Sequence, residues 1–455
     1  MAPKFGTSGL RGLVVDLTEE LVARYVRAFV SVCETGGQIC VGRDLRASSP
    51  RIARAVSQAA SHAGLTVLDC GVVPTPALAL EAQTRGAGAV MVTGSHIPAD
   101  RNGLKFYTVT GEITKDDESR IGEALGRHSD AAKPAPVLTA AASEHFADRY
   151  RKAYGPAALR GRRVGVYTHS AAGRDLLLAL LGDLGAETVE LGRSDIFIPV
   201  DTEAIDPETR QTLTAWAKDQ GLDAVASTDG DSDRPMLADE NGEVIPGDIL
   251  GQITALALGA QAVVTPISSN SGVTRLPNIH KVIRTRIGSP FVIAGMGEAK
   301  GRVVGYEANG GFLLGFEASG PTGPIPPLPT RDSFLPIIAT LSQPGPLSVI
   351  VAAQPARFTK AGCLQDVPIS VSAALVSRLT ENGEERAAFL HGFGAETSLD
   401  TTDGLRISLE DGGIVHLRPS GNAPEFRLYT EAESPEAAQD LLDRGVLRLR
   451  TLVGQ

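Results

Sequence analysis

The sequence predicts an α/β protein, with three similar α/β domains followed by an α+β domain. Three observations predict this class. The chain has 455 residues, which corresponds to three or four domains at about 100–200 residues per domain. Short apolar runs alternate with amphipathic stretches, as expected where strands and helices alternate. The C-terminal part instead combines short strands, a hairpin turn signal and a terminal helix.

Composition and charge exclude several classes of protein. The chain carries 43 Lys and Arg against 53 Asp and Glu, a net charge of -10, so it has no general attraction for nucleic acid or an anionic membrane. The four cysteines form no CxxC pair, which argues against a disulfide framework or a structural zinc site. No signal peptide is visible, and the most apolar long stretch, Ile249–Val264, is shorter than the ~20 residues of a membrane span. We expect a soluble cytoplasmic protein with no nucleic-acid or membrane partner.

The individual elements follow from the pattern along the chain. Short apolar runs predict strands at Ala87–Val92, Val164–Tyr167, Ala224–Ala226, Ala262–Thr265 and Arg302–Gly305. Amphipathic stretches predict helices such as Ile52–Ala63, Asp175–Leu181 and Asp248–Leu258. Asp248 follows Pro246-Gly247 and is the expected N-cap of its helix.

Three of these strands run into a polar loop that contains glycine. The loops are Thr93-Gly94-Ser95-His96, Asp229–Arg234 and Tyr306–Gly311. They form a weak internal repeat of buried strand and polar loop. Ligands bind outside the carboxyl ends of strands in open α/β sheets, so we expect the three loops to face one cleft.

The C-terminal part has signals of its own. Strands are predicted at Leu405–Leu409, Ile414–Leu417 and Phe426–Ala432, with a hairpin turn at Asp411-Gly412-Gly413. Ser434 is the expected N-cap of a last helix, with Pro435 at its first position. Turn-rich and proline-containing joins lead us to predict four domains, at residues 1–140, 141–240, 241–350 and 351–455.

The loop after the strand in the second domain is acidic. Asp229, Asp231 and Asp233 alternate along it, which lets three carboxylates converge where their repulsion favours a divalent cation. Oxygen ligands favour Mg²⁺ or Ca²⁺ over zinc. An EF-hand is one alternative, since Glu240 falls at its twelfth position, although Arg234 stands where that loop needs glycine. A solvated acidic turn is another.

The loop in the first domain contains a candidate nucleophile. Ser95 follows a buried strand and Gly94, so the strand end would present it to the cleft. A serine that caps the next turn is the alternative interpretation. Adjacent side chains often point apart, which argues against His96 as its activating base. Arg101 and Lys105 bring two cations back toward the same loop.

Two further loops are rich in hydrogen-bond donors. The loop from Arg418 to Pro424 contains no acid, and its arginine, hydroxyl, amide and glycine suit an anion. We therefore expect it to bind phosphate, an ordinary hairpin loop being the alternative. The N-terminal loop Phe5–Gly12 contains Arg11 but lacks the final Lys-Ser/Thr of a P-loop, so ATP binding is not indicated.

Together the loops resemble the α-D-phosphohexomutase superfamily over essentially the full chain. The matching segments, in the family's order and roughly its spacing, are Gly6–Gly12, Thr93–Pro98, Asp229–Arg234, Gly305–Gly311 and Arg418–Pro424. The resemblance implies three similar α/β domains with mixed sheets plus a C-terminal antiparallel domain around one central cleft. It also implies an isomerase that interconverts hexose 6-phosphate and hexose 1-phosphate, through a phosphoserine and a hexose 1,6-bisphosphate that also activates it.

The resemblance assigns a role to each matching residue. The catalytic set would be Ser95, Arg11, Lys105 and His96. The ligands of Mg²⁺ would be Asp229, Asp231, Asp233 and the phosphate on Ser95. The substrate contacts would be Glu307, Asn309, Arg234, Arg418, Ser420, Gly421, Asn422 and Arg427.

The resemblance to the superfamily does not by itself identify the sugar of the substrate. The segments Tyr306–Gly311 and Asp233-Arg234-Pro235 are most similar to bacterial members that act on mannose phosphate, so we expect that substrate. A glucose phosphate mutase or a dual-specificity mutase is the first alternative; a metal-dependent sugar phosphatase and a non-catalytic sugar-phosphate binder are the others. A monomer or weak dimer is expected. Many relatives have His or Lys where this chain has Ser289, and we expect Arg284 or Arg286 to supply a cation there.

Overall fold

The computed structural model describes residues 3–6, 9–126, 134–420 and 424–454. Its strands form three mixed sheets, one antiparallel five-stranded sheet and a two-stranded ribbon. The three mixed sheets belong to three successive units of strands and helices. The predicted fold class, three α/β domains and a C-terminal α+β domain, is therefore confirmed. Within the described ranges, no helix has the length and apolar character of a membrane span.

The first unit contains an eight-stranded sheet. Its strands are β1 Lys4–Phe5, β2 Leu10–Leu13, β3 Gln38–Arg43, β4 Thr66–Val72, β5 Gly88–Val92, β6 Arg101–Thr108, β7 Gly111–Glu112 and β8 Val137–Thr139. Its helices are α1 Glu19–Val32, α2 Ser49–His62, α3 Thr75–Arg85 and α4 Lys115–Ala124. The strand order is β1-β2-β6-β5-β3-β4-β8, with β7 paired to β6.

The second unit contains a four-stranded sheet. Its strands are β9 Arg163–Tyr167, β10 Glu187–Leu191, β11 Ala224–Thr228 and β12 Pro235–Ala238, and its helices are α5 Ala142–Tyr154, α6 Arg174–Asp183 and α7 Pro207–Gln220. The strand order is β10-β9-β11-β12.

The third unit contains a five-stranded mixed sheet and the ribbon. Its strands are β13 Ala262–Pro266, β14 Lys281–Thr285, β15 Val303–Tyr306, β16 Phe312–Leu314, β17 Ala318–Ser319, β18 Pro324–Ile325 and β19 Leu328–Asp332. Its helices are α8 Gly247–Ala257, α9 Ser289–Glu298, α10 Phe334–Leu341 and α11 Leu347–Ala352, with a 3₁₀ turn at Ser271–Arg275. The order is β14-β13-β15-β16-β19, and β17 pairs with β18.

The C-terminal unit contains the antiparallel sheet. Its strands are β20 Phe358–Leu364, β21 Glu396–Asp400, β22 Leu405–Leu409, β23 Ile414–Pro419 and β24 Phe426–Ala432, and its helices are α12 Ile369–Glu381, α13 Gly383–Leu390 and α14 Pro435–Val453. The order is β20-β24-β23-β22-β21. Ser434 caps α14 as predicted, because its side chain accepts a hydrogen bond from the N–H of Ala437.

The three polar loops occupy the same place in the three units. Each follows a strand, β5, β11 or β15, that has a parallel neighbour on one side and an antiparallel neighbour on the other. Each loop connects that strand to its antiparallel neighbour. The internal repeat predicted from the sequence is therefore confirmed as a structural repeat.

The first three units share one apolar core, which fixes the loops relative to one another. A single cluster of buried side chains includes residues of all three units. Within it, the ring of Phe146 on α5 lies 5.2 Å from that of Tyr150 and 5.3 Å from that of Phe334 on α10. The antiparallel sheet packs its own separate core.

One predicted helix start is wrong. Helix α8 begins at Gly247 and its N-cap is Pro246, so Asp248 lies inside the first turn. The Asp248 carboxylate accepts a hydrogen bond from the backbone N–H of Asn270, at 2.8 Å. The Asp248 side chain therefore binds the segment around Asn270 and does not cap its own helix. This is a tertiary contact, which the sequence pattern around Asp248 does not indicate. The other predicted strands and helices are confirmed, with ends that differ by a few residues.

Candidate active site

The polar loops of the three units contact one another. Ser95 in the first donates a hydrogen bond from Oγ to Asp229 Oδ2 in the second, at 2.6 Å. Arg331, at the end of β19, lies 2.7 Å from Asp233 in the second loop and 3.4 Å from Glu307 in the third. All five residues are buried. The structure therefore brings the predicted serine, acidic loop and sugar loop to one place.

The backbone of Ser95 is held in a strained conformation. Its φ angle of 54° lies in the left-handed region, which costs a non-glycine residue about 1–3 kcal/mol. Its N–H donates to Thr93 Oγ1 and its carbonyl accepts from Arg46 Nη2, both at 2.8 Å. Because Oγ bonds Asp229 and not a backbone N–H, the interpretation of Ser95 as a turn cap is wrong.

Arg46 holds the whole serine loop. Its guanidinium donates to four backbone carbonyls at 2.5–3.0 Å, those of Ser95, Ile97, Pro98 and Arg101. Its Nε pairs with Asp44 at 3.1 Å, and its face lies 3.9 Å from the ring centre of Phe197, in the second unit. A Cβ on Gly94 would lie 2.6 Å from Arg46 Cζ, so this loop needs glycine there.

The acidic loop lies between two strands. Asp229, Asp231 and Asp233 each offer one oxygen, and these oxygens lie within 4.8 Å of one another. Strand β11 leads into the loop where an EF-hand has a helix, and Glu240 accepts a hydrogen bond from Ser348. The EF-hand interpretation is therefore wrong. Burial of all three aspartates also contradicts a solvated acidic turn.

The charges and free oxygens of this loop fit a divalent cation. Burial, together with the charges of Asp231 and Asp233, raises the pKa of Asp229 well above its ordinary value. Burial alone would also raise the pKa of Asp231, but the Lys105 ammonium and the Thr75 hydroxyl hold it well below its ordinary value. Asp231 Oδ1 and Asp233 Oδ1 are buried with no hydrogen-bond partner among the described residues. Such oxygens are the ligands that Mg²⁺ and Ca²⁺ prefer.

The two predicted cations of the first unit lie beside the acidic loop. Lys105 Nζ is 2.6 Å from Asp231 Oδ2 and from Asp233 Oδ2. Arg11 pairs in register with Gly103, where a Cβ would lie 2.4 Å from Arg11 Nη1. Burial lowers the pKa of Arg11 to about 10, against the attraction of Asp231. Arg11 therefore keeps its positive charge at neutral pH.

His96 lies between the serine and an arginine of the second loop. Its Nδ1 is 3.4 Å from Ser95 Oγ and 3.0 Å from Arg234 Nη1. Arginine only donates, so Nδ1 accepts this hydrogen bond and carries no proton. Burial, followed by the charge of Arg234, lowers the pKa of His96 to about 4. The imidazole is therefore neutral at pH 7, and its nitrogen nearest the serine is already occupied.

The sugar loop is closed by its own side chains. Asn309 Oδ1 accepts from the N–H of Gly311 at 3.0 Å, and the Asn309 carbonyl accepts from Thr202 Oγ1 of the second unit at 3.0 Å. Gly310 adopts a φ of 87°, which favours glycine. Because Asn309 Oδ1 is used within the loop, its Nδ2 is the atom left to donate to a ligand. Glu307 is 3% exposed.

The C-terminal loop pairs its arginines with acids. Arg418 Nε lies 2.9 Å from Asp403 Oδ2, and Arg427 Nη2 lies 3.1 Å from Glu425 Oε2. The N–H of Ser420 donates to the carbonyl of Glu425 at 3.0 Å. Outside the described residues lie the predicted contacts Gly421 and Asn422. An acid beside either arginine was not predicted, because the stretch from Arg418 to Pro424 contains none.

An acid links this loop electrostatically to the others. Glu203, between β10 and α7, interacts with the charges of Arg234, Glu307 and Arg427. The charge of Arg427 in the C-terminal unit therefore acts on an acid of the second unit.

Ser289 and the two arginines expected to supply a cation near it make other contacts or face solvent. Ser289 is buried and its Oγ donates to Glu112 Oε2 at 2.9 Å. Arg284 donates to backbone carbonyls of its own unit, and Arg286 is exposed. Arg331 is a cation that the structure does place beside the sugar loop.

Four family models match the chain. They describe the alpha/beta/alpha domains I, II and III and the C-terminal domain of phosphoglucomutase/phosphomannomutase, and they match residues 2–131, 144–242, 246–352 and 373–446. The chain belongs to the phosphoglucomutase/phosphomannomutase family.

Individual family members are similar to this chain over almost their whole length. A phosphomannomutase of Sinorhizobium fredii is 44% identical over 99% of this chain and 99% of its own. A phosphomannomutase of Salmonella muenchen is 42% identical over 99% of this chain and 96% of its own. A solved phosphoglucomutase/phosphomannomutase family protein of Burkholderia thailandensis has a TM-score of 0.79 at 20% identity, covering 98% of this chain and 97% of its own. That structure supports the fold alone.

Four residues that the structure places at the site of this family member were not predicted from its sequence. They are Arg46, Thr75, Glu203 and Arg331. A signal existed for two of them: Arg46 lies two residues after an acid at the end of a strand, and Arg331 stands beside an acid between two largely apolar stretches. Charged pairs in apolar surroundings are buried only when partners compensate them. Thr75 and Glu203 carried no such signal.

Proposed function

We propose that this family member is a phosphomannomutase, which interconverts mannose 6-phosphate and mannose 1-phosphate. The observation that carries the proposal is the hydrogen bond from Ser95 Oγ to Asp229, within the acidic loop that Arg331 joins to Glu307. A serine at a cation-binding acidic loop, next to an acid suited to sugar hydroxyls, fits phosphoryl transfer to a sugar. The choice of mannose rests on the names of the relatives from Sinorhizobium and Salmonella.

The proposed reaction has two transfers. In the first, the bond between Oγ of phospho-Ser95 and phosphorus breaks, a bond forms from phosphorus to the free hydroxyl of the sugar phosphate, and that hydroxyl loses its proton. The product, mannose 1,6-bisphosphate, turns end for end. In the second, its other phosphoryl group moves to Ser95 Oγ, and the sugar oxygen that it leaves takes up a proton.

The cations of the site would stabilise the charge that spreads over the phosphoryl oxygens. Arg11 and Lys105 lie beside the acidic loop, where fixed positive charge lowers the barrier. Asp229, Asp231, Asp233 and phospho-Ser95 would hold Mg²⁺, which neutralises charge on the transferring group. We propose that Arg11 and Lys105 also assist proton transfer. His96 would orient Arg234 beside the serine, consistent with its occupied Nδ1.

The remaining predicted residues would hold the sugar phosphate in both orientations. Glu307 would accept hydrogen bonds from ring hydroxyls and Asn309 would donate through Nδ2. Arg234 and the C-terminal loop would bind the phosphate that does not react, the loop through Arg418, Ser420, Gly421, Asn422 and Arg427. The hexose 1,6-bisphosphate would also activate the enzyme by phosphorylating Ser95. The domain boundaries, cytoplasmic location and monomeric or weakly dimeric state remain predictions.

A coupled assay tests this function. Mannose 1-phosphate and glucose 1-phosphate are each supplied with Mg²⁺ and a trace of the matching 1,6-bisphosphate, and formation of the 6-phosphate is followed. We expect a higher kcat/KM with mannose 1-phosphate. Equal values would contradict the sugar preference, and steady release of inorganic phosphate would indicate a phosphatase. No turnover of either sugar would refute the mutase.

A further inference from the structure

Two carboxylates of the acidic loop, those of Asp231 and Asp233, each have one hydrogen-bonded oxygen and one oxygen without a hydrogen bond in the described part of the chain. Asp231 Oδ2 accepts from Thr75 Oγ1 at 2.7 Å and from Lys105 Nζ at 2.6 Å. Asp233 Oδ2 accepts from the same Lys105 at 2.6 Å and pairs with Arg331 Nη2 at 2.7 Å. The two Oδ1 atoms are buried without a hydrogen-bond partner in the described part of the chain. One edge of each carboxylate is therefore saturated by the protein, while the other edge is left for a ligand.

The donors that saturate these edges come from outside the second unit. Thr75 is the first residue of α3 in the first unit, and Arg331 lies on β19 in the third. Thr75 makes two contacts with the same aspartate, because its backbone N–H also donates to the carbonyl of Asp231 at 2.9 Å. Thr75 is fully buried and Arg331 is 4% exposed. The acidic loop of the second unit is thus held from both sides, by the first unit and by the third.

We propose that Thr75 and Arg331 are positioning residues that set the affinity of the acidic loop for its divalent cation. The proposal rests on the proposed function, since it assumes that this loop binds the metal. Groups that hydrogen-bond the outer oxygen of a metal-binding carboxylate fix its orientation, and their loss typically weakens metal binding about 10–100-fold. Without the Thr75 hydroxyl, Lys105 is the one hydrogen-bond donor among the described residues that still orients the Asp231 carboxylate. Metal binding would then have to order that side chain.

Thr75 gives the sharper test, because Lys105 also belongs to the proposed catalytic set. Thr75→Val keeps the branched shape and the backbone N–H but removes the hydroxyl, whereas Thr75→Ser keeps the hydroxyl. Thr254→Val is a matched control: Thr254 is also fully buried and donates one hydrogen bond, to the carbonyl of Leu250 within α8. Binding of Mn²⁺ to the full-length protein is measured by electron paramagnetic resonance of the free ion, without sugar.

We expect Thr75→Val to raise the Kd for Mn²⁺ about tenfold or more, with Thr75→Ser within about twofold of wild type and Thr254→Val unchanged. Arg331→Met should weaken binding, and Arg331→Lys should restore it only in part, because an ammonium lacks the planar fork that spans two carboxylates.

In turnover assays, the Mg²⁺ concentration for half-maximal rate should rise by the same factor for Thr75→Val, while kcat at saturating Mg²⁺ stays near wild type. A merely structural role would not be reversed by added metal.

Wild-type affinity in both Thr75→Val and Arg331→Met would overturn the inference and leave the proposed function standing. An equal loss in Thr254→Val would also overturn it, since the effect would then be general destabilisation. If the wild-type protein binds no Mn²⁺ at millimolar concentration, the metal role in the proposed function fails together with the inference. Should Thr75→Val fail to fold, as judged by circular dichroism, the Arg331 pair decides the question in the same assay.

Discussion

Ser95 Oγ and Asp229 Oδ2 lie 2.6 Å apart although 134 residues separate them in the chain. The hydroxyl oxygen lies within hydrogen-bond distance of a carboxylate whose pKa is raised by burial and by the neighbouring aspartates. The serine stands on a strained turn that Arg46 holds from behind. A fixed hydroxyl at the edge of a cation site is the arrangement that a phosphoryl-accepting serine needs.

The first prediction concerns this serine. Ser95→Ala should accept no labelled phosphoryl group from mannose 1,6-bisphosphate, and mutase turnover should fall on the order of 10⁴-fold or more. Mannose 1-phosphate should still bind, as measured by calorimetry. Ser227→Ala is the control, because Ser227 is a buried serine that donates to the carbonyl of Tyr167. Labelling of the Ser95→Ala protein would place the phosphoryl acceptor elsewhere.

A second prediction concerns the arginine behind the serine loop. Arg46→Lys replaces a planar group that reaches four carbonyls by a single ammonium with three donors. Buried carbonyls that lose a partner cost about 1–3 kcal/mol each, so the strained turn at Ser95 should relax. We expect the rate of Ser95 phosphorylation, measured in a single turnover, to fall about 10–100-fold together with the melting temperature.

Arg162→Lys is the matched control for this experiment. The guanidinium of Arg162 likewise holds backbone carbonyls, those of Leu341, Gln343 and Gly345, at 2.6–3.1 Å. These hydrogen bonds join the second unit to the third and lie outside the serine loop. Arg162→Lys should lower the melting temperature without slowing phosphorylation of Ser95. A similar slowing in both variants would mean that the Arg46 effect is one of general stability.

The sequence predicted the site loops well because each is a local segment. Ser95, the three aspartates and Glu307 stand in loops whose glycine and polar residues break an apolar strand, a signal that a few neighbouring residues contain. The four carbonyls that Arg46 holds lie 49 or more positions away in the chain, and the Asp231 carboxylate that Thr75 holds lies 156 positions away. Tertiary packing creates these contacts, within the first unit for Arg46 and between the first and second units for Thr75. The wrong cap at Asp248 has the same cause, since its partner Asn270 belongs to another segment.

A third prediction concerns the sugar loop. Glu307→Gln keeps the size of the side chain but removes the charge that pairs with Arg331 and would accept sugar hydroxyls. A hydrogen bond to a charged group contributes about 1.5–3 kcal/mol, so kcat/KM for mannose 1-phosphate should fall about 10–100-fold, mainly through KM.

Glu431→Gln provides a matched control for Glu307. Glu431 is a buried glutamate paired with Arg357 at 2.5 Å, and it belongs to the antiparallel sheet. Its loss should lower the melting temperature and leave KM unchanged. An unchanged KM in Glu307→Gln would contradict the role of this acid in binding the sugar.

The last prediction concerns pH and the buried acid of α8. Burial, with the charge of Glu431 in addition, raises the pKa of Asp248 to about 6, although the N–H of Asn270 acts in the opposite direction. In the unfolded chain an aspartate has a pKa near 3.9. A carboxyl whose pKa is higher in the folded state binds its proton more tightly there, so stability falls as pH rises from the unfolded to the folded value. Above about pH 6 the full cost is present, about 2–3 kcal/mol.

Asp248→Asn removes this titration while keeping an oxygen that can accept from Asn270. The variant should therefore gain stability relative to wild type as pH rises from 4 to 7, and the gain should level off above that range. Melting temperatures of both proteins, measured at half-unit steps of pH in one mixed buffer, give the difference directly. A constant difference between pH 4 and 7, or one that shifts in favour of wild type, would mean that the Asp248 carboxyl ionises at least as easily in the folded protein as in the unfolded chain.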